Sequence, residues 1–307
     1  MNPGNYLWSY NTMLAFAAGG QIGDIELIMA DLSANDRDNE LWHRKWMELA
    51  DILEQRAEGC LSDRSYSETM FLACLYAIIG EHFVPPADPR RMETYDRVLH
   101  MFEAAQSKSP FKLESVDVPF EGTTLPGYFQ PAKTPAGPRG TVIMICGLDT
   151  TKELWYLRTR QEITDRGLNV LYIDTPGIGG ALRKKNLYTR ADYEKPIRSV
   201  IDYLETRSEV ESSKIGIIGS SLGGYYVARA AAYETRIAAT VAWGAIYDYH
   251  KVWMDRLESI GTLGAPIFQI MFVTGTNTLE SAVKSIKDFR VEPLGRFIKC
   301  PFLIMHG

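Results

Sequence analysis

Lys214-Ile215-Gly216-Ile217-Ile218-Gly219-Ser220-Ser221-Leu222-Gly223-Gly224, followed by Tyr225-Tyr226-Val227-Ala228-Arg229-Ala230-Ala231-Ala232-Tyr233, is the stretch on which the reading of this chain turns. The short apolar run through Ile218 has the composition of a buried parallel strand, and the alanine-rich run after Gly224 that of a helix. Between them, Gly219 to Gly223 has the form G-x-S-x-G. The pentapeptide alone would arise by accident in roughly one chain in ten of this length, so its placement at a strand-to-helix corner carries the argument. At such a corner a serine on a strained backbone holds its hydroxyl clear of the sheet, and small flanking glycines let strand and helix close together. Ser221 is therefore the candidate nucleophile. Free N–H groups at the start of the helix would face any oxyanion formed there.

Composition narrows the remaining classes. The 307 residues are 46% hydrophobic and 23% charged, enough apolar content for a large core and for about two domains. A formal net charge of -5 and a pI near 5.7 give no electrostatic footprint for nucleic acid or an anionic membrane. The apolar stretch Met13 to Ala18 lacks the basic flank of a secretion signal, since the first basic residue is Arg37. No apolar run approaches the ~18 residues of a membrane span. A cytoplasmic location is the expectation. The four cysteines show no C-x-x-C spacing, and the five histidines no H-x-x-x-H or H-E-x-x-H pattern, so no metal site is expected.

The pattern changes near Pro110. Upstream, Leu41, Trp42, Trp46, Leu49, Ala50 and Leu53 recur at helical spacing, as do Tyr66, Met70, Phe71, Cys74, Leu75 and Ile78, and then Tyr95, Val98, Leu99 and Phe102. Pro85, Pro86 and Pro89 divide this helical segment. Residues 1–112 are thus expected to form a helical cap or dimerisation domain, either a roof that excludes water from a site or a plain scaffold. Residues 113–307 alternate strands and helices. Ser115–Phe120 and Thr124–Phe129 flank a Glu121-Gly122 turn, and parallel strands are expected at Thr141–Cys146, Asn169–Asp174, Ile215–Gly219 and Ala238–Trp243. Helices are expected at Glu153–Arg166, Ala191–Arg207 and Gly223–Tyr233. The fold class is α/β, a doubly wound, mostly parallel sheet, with a cap-like insertion at about 248–292.

In such sheets, ligands bind at the carboxyl ends of the strands. Three loops converge there. After Cys146 runs Gly147-Leu148-Asp149-Thr150-Thr151-Lys152-Glu153, whose backbone would supply one oxyanion donor. Leu148 and Leu222 are the candidate donor pair. Asp149 is a candidate substrate contact or partner of Lys152, with helix capping as the alternative. The second loop, Asp174 to Gly180, is an exposed turn that could line a pocket. In the third, Trp243 and Tyr247 are candidates for an aromatic wall, with core packing as the alternative, and Asp248 is a fallback acid.

Together, Glu121-Gly122-Thr123-Thr124-Leu125-Pro126-Gly127-Tyr128, the 147–153 loop, Gly219–Gly224 and Trp243-Gly244 resemble the α/β-hydrolases of the 2,6-dihydroxypseudooxynicotine hydrolase type, relatives of fermentation-respiration-switch-type esterases and fungal polyketide-shortening hydrolases. The resemblance implies an N-terminal helical domain, a homodimer, a Ser-Asp-His triad, no cofactor, and a small substrate with a carbonyl group, an aromatic one among the options. It also implies cleavage of a carbon–carbon bond beside a ketone, or of an ester or related acyl bond. A general carboxylesterase or peptidase-like hydrolase, and a non-catalytic ligand-binding scaffold, are the alternatives. The family places its acid about three residues beyond the pair that matches His306-Gly307, with the histidine later still. The expectation is that the triad acid, its histidine and the last strand are missing from these 307 residues, which would leave an inactive or weakly active chain with an unpaired sheet edge.

Overall fold

The computed structural model describes residues 5–32, 38–133, 137–148, 150–259 and 267–306. The chain divides into two compact units, one of residues 1–112 with 156–160, the other of 113–155 with 161–307.

Among its described residues the first unit contains five helices, α1 (Tyr6–Ala17), α2 (Ile22–Leu32), α3 (Asn39–Glu58), α4 (Asp63–Glu81) and α5 (Pro89–Lys108). Four begin at a side chain that accepts a helix-start N–H: Asn5, Asp38, Ser62 and Asp88 bond the amides of Trp8, Leu41, Ser65 and Arg90. Pro89 sits in the first turn of α5, where its missing N–H costs nothing. Of the periodic residues of α3, Leu41, Trp42, Trp46, Ala50 and Leu53 are buried and Leu49 is half-buried. Trp42 lies at the centre of an aromatic cluster with Trp8, Trp46 and Phe83, and its indole N–H donates to Ile79 O at 2.9 Å. α1 and α2 lie within the expected helical domain but ahead of Leu41, where its periodic residues begin. Their apolar residues are spread round the helix surface, and several, including Tyr6 and Leu27, face solvent, so no clean stripe marks them.

Among its described residues the second unit is built on a seven-stranded sheet in the order β1-β2-β4-β3-β5-β6-β7. The strands are β1 (Glu114–Phe120), β2 (Thr123–Gln130), β3 (Arg139–Ile145), β4 (Asn169–Ile173), β5 (Val210–Ser220), β6 (Ile237–Trp243) and β7 (Phe302–Met305). β1 and β2 form the expected hairpin, with Glu121 and Gly122 both at positive φ, 42° and 81°. That is the backbone a two-residue turn of matching twist requires. β2 also runs antiparallel to β4, while β4, β3, β5, β6 and β7 are parallel to one another. β4 is buried throughout, as a strand covered on both faces must be. β7 lies at the edge, with Leu303 and Ile304 exposed.

The helices of this unit are α6 (Lys152–Thr159), α7 (Gly179–Lys185), α8 (Glu194–Glu205), α9 (Leu222–Tyr233), α10 (Tyr249–Ser259), α11 (Ile267–Thr274) and α12 (Leu279–Ser285), the second half of α6 belonging to the first unit. Two expectations are corrected. The helix expected to run to Arg166 stops at Thr159, because Arg160 adopts φ 37°, and only a 3-10 turn at Thr164–Arg166 follows. The Asp174–Gly180 loop is not simply an exposed turn: it is buried, and its last two glycines open α7, whose first turn is anchored by the Asp174 carboxylate. Residues 248–292 hold α10, α11 and α12 in place of a strand-helix repeat.

Candidate active site

Ser221 stands at the junction of β5 and α9 with φ 57° and ψ -122°. For a residue with a Cβ this is a strained conformation that survives only where the surroundings hold it. Three backbone bonds do so. The Ser221 N–H donates to Trp243 O at 2.9 Å, and Ser221 O accepts from Gly224 N at 2.9 Å and Ile246 N at 3.0 Å. The side chain is half-buried, and among the described residues its hydroxyl forms no hydrogen bond.

The glycines explain how the corner closes. A Cβ on Gly219 would fall 2.1 Å from Gly223 O, and one on Gly223 would fall 2.5 Å from Cys146 O. One on Gly147 would lie 2.7 Å from Ser220 O, 2.9 Å from Ser221 Cβ and 3.3 Å from Leu222 N. The loop leaving β3 therefore lies directly against the Ser221 turn. Leu222 is the first residue of α9, so its N–H has no acceptor within the helix. Leu148 is half-buried in the facing loop, and among the described residues its N–H meets no acceptor. Asp149 lies outside the described residues.

The other candidates from the sequence lie at the end of β6 and along the loop after it. Trp243 is half-buried, with its ring 6.1 Å from that of Trp155. Tyr247 is 57% exposed. Asp248 is half-buried and caps α10, its Oδ1 accepting the Lys251 N–H at 2.8 Å.

Sequence reasoning missed a buried cluster of charges next to Gly147. Lys152, Glu153 and Asp174 are all almost fully buried. Lys152 Nζ donates to Glu153 Oε1 at 2.5 Å and to Asp174 Oδ2 at 3.1 Å, while Tyr128 OH donates to Glu153 Oε1 at 3.0 Å. Asp174 also accepts backbone N–H groups from Lys152 and Gly180, each at 2.8 Å. Burial pushes the Asp174 carboxyl above the ordinary range, and the nearby Lys152 ammonium only partly offsets this. Burial also opposes charge on Glu153, but its tighter pairing with Lys152 brings its carboxyl below that range. The available signal was positional: Asp174 ends a parallel strand, where site residues gather.

The fold has known counterparts. A family profile described as esterase FrsA-like matches residues 33–272. This chain belongs to the FrsA-like esterase family. Among curated relatives of this FrsA-like chain, the 2,6-dihydropseudooxynicotine hydrolase of Paenarthrobacter nicotinovorans is 30% identical over 281 residues, covering 90% of this chain and 73% of the relative. The α/β hydrolase ucsC of an Acremonium species is 30% identical over 255 residues, covering 75% of this chain and 51% of the relative. The FrsA-like chain thus spans from about half to three quarters of the length of these proteins. Among solved structures, a 2,6-dihydroxy-pseudo-oxynicotine hydrolase superposes with a TM-score of 0.79 at 28% identity, over 96% of this chain and 80% of that one. This FrsA-like protein has the α/β-hydrolase fold and falls in the hydrolase class. No helix among its described residues is long and apolar enough to cross a membrane.

Proposed function

We propose that Ser221 is the nucleophile of a hydrolase that cleaves a carbon–carbon bond beside a carbonyl, or an ester or related acyl bond, through an acyl-enzyme. The observation that carries this reading is the backbone of Ser221, held at φ 57° between β5 and α9 with the Gly147 loop packed against it. The hydroxyl attacks the substrate carbonyl and gives up its proton to a base, and the resulting oxyanion is held by the N–H groups of Leu148 and Leu222. The tetrahedral adduct expels a carbanion or alkoxide leaving group, which takes up that proton. Water then attacks the acyl-serine ester, frees the carboxylic acid and restores the hydroxyl. Chain order in this fold runs nucleophile, acid, histidine, so the partners are to be sought C-terminal to β6, with Asp248 as the reserve acid. Asp149, Trp243 and Tyr247 are assigned to the substrate, a small carbonyl compound. The helical unit as a cap, the homodimer and a cytoplasmic setting belong to the same proposal.

A fluorophosphonate probe tests the nucleophile: mass spectrometry should place the adduct on Ser221, and Ser221→Ala should remove it. Labelling that survives in Ser221→Ala rejects the reading. Parallel assays on a β-diketone, a p-nitrophenyl ester and an aminoacyl amide separate carbon–carbon hydrolysis from esterase and peptidase chemistry. A non-catalytic ligand-binding role is the second reading. It draws on the Ser221 hydroxyl having no hydrogen-bonded base among the described residues, and it predicts no adduct at all.

A further inference from the structure

We infer that the buried Lys152–Glu153–Asp174 cluster acts as a positioning clamp that holds the Leu148 donor in register with Ser221. The inference rests on the nucleophile and donor roles just proposed.

Every covalent step between the clamp and the donor is short. Lys152 is the first residue of α6, and its backbone N–H and its ammonium both bond one carboxylate, Asp174, at 2.8 and 3.1 Å. Asp174 follows β4 directly, so the start of α6 is tied to the neighbouring strand. The same carboxylate receives Gly180 N at 2.8 Å, and Gly179 N returns to Thr150 O at 3.0 Å. Cys146 Sγ donates to Thr151 O at 3.3 Å on the other flank. Thr150, Thr151 and Lys152 are therefore fixed to β3, β4 and α7, with Leu148 two residues before the first of these bonds and Gly147 already against Ser221. Tyr128 carries the network on to β2 through Glu153.

A stability role alone is a poor account of such a cluster. Removing charges from water offsets much of their attraction, and apolar residues of similar shape commonly hold a core as well or better. An ion cluster with directional hydrogen bonds supplies geometry. Geometry is what an oxyanion donor needs, because a donor displaced by a fraction of an ångström no longer meets the charge it must stabilise. Gly179 shows how closely the parts fit: a Cβ there would lie 2.3 Å from the Asp174 carboxylate.

Two measurements on the full chain test the clamp. The first is the kinetics of fluorophosphonate labelling at Ser221. Lys152→Met should lower the maximal labelling rate at least about tenfold, toward the 10²–10³-fold known for loss of one oxyanion donor, while the probe's half-saturating concentration changes less than about twofold. A merely structural lysine would lower the melting temperature and the labelled fraction, yet leave the folded molecules reacting at the wild-type rate. Because Lys152→Met strands two buried carboxylates, the double variant Lys152→Met/Glu153→Gln is measured beside it; it removes one negative charge and still lacks the bridge to Asp174. The second is hydrogen exchange, which needs no chemistry at Ser221. Both variants should speed exchange at the amides of residue 152, Gly179 and Gly180, which the cluster now holds, at least about tenfold and leave β3 and β5 protected. A wild-type labelling rate in either folded variant, or unchanged exchange at these amides, overturns the clamp. Absence of wild-type labelling at Ser221 overturns the nucleophile assignment instead, and the exchange data then decide the clamp alone.

Discussion

Replacing Gly147 by alanine tests the central geometric claim, that the loop after β3 is built against the Ser221 turn. The added methyl would start 2.7 Å from Ser220 O and 2.9 Å from Ser221 Cβ. Ordinary contact begins near ~3.4 Å, so the loop and the turn must separate by roughly half an ångström or more. Backbone forms one side of the contact, and no rotamer change relieves it. Overpacking of this kind costs about 1–3 kcal/mol, which for a unit of this size lowers the melting temperature by roughly 2–4 °C per kcal/mol. The same displacement would move the proposed Leu148 donor away from the oxyanion position, and misplacement on the ångström scale costs about 10²-fold in rate. Calorimetry and the labelling rate of Ser221 are the assays, and Gly216→Ala is the control. That glycine lies on β5 as well, but its added Cβ would sit at an ordinary 3.5 Å from Ala239 O. A Gly147→Ala protein that melts and labels like the wild type, at or above the Gly216→Ala control, would refute the packing of the two donors around Ser221.

Three further outcomes follow from other parts of the molecule. Ser221→Gly should be more stable than Ser221→Ala by about 1 kcal/mol, measured by urea denaturation, because only glycine occupies φ 57° without strain; equal stability would mean that the turn stores none. Trp42→Phe should cost about 1–3 kcal/mol in the helical unit, because it leaves the buried Ile79 carbonyl without the indole donor now 2.9 Å away, and an unchanged denaturation midpoint would exclude that account. Glu234 accepts from the Arg236 guanidinium and backbone and is held down to about 2, below its ordinary value of 4.5. A depressed carboxyl stabilises the fold above its unfolded value and loses that contribution as pH falls toward 2. The stability deficit of Glu234→Gln should therefore be full at pH 7, shrink between about 4.5 and 2, and vanish below; a deficit independent of pH would show that charge is not involved.

Much of the second unit was legible because its strands are short, apolar and β-branched, and because glycine and proline mark their ends. The Glu121-Gly122 turn and the strands through Ile143, Leu171, Ile217 and Val241 lie where pattern alone puts them. What escaped was decided by tertiary partners. Nothing in Asp174-Thr175-Pro176-Gly177 distinguishes a solvated turn from a buried one until the Lys152 ammonium and two backbone amides converge on the carboxylate. Arg160 has an ordinary helix former's sequence signature, yet it ends α6 at φ 37°. Propensity is a weak prior there, and long-range packing overrode it.

The candidate site divides in the same way. Ser221 and Leu222 could be located from sequence because a sharp strand-to-helix corner demands glycines at fixed offsets, and those offsets are local. The proposed donor Leu148 could be suggested only through its loop, since a backbone donor leaves no trace in side-chain identity. The clamp could not be located at all: Lys152 and Glu153 are neighbours in sequence, but the third charge comes from Asp174 across a parallel crossover. Such a crossover is the route by which this fold brings distant loops to one end of the sheet. The chemistry proposed for Ser221 thus depends on groups whose sequence signals fade with distance from the elbow, although the structure holds them within a few hydrogen bonds of it.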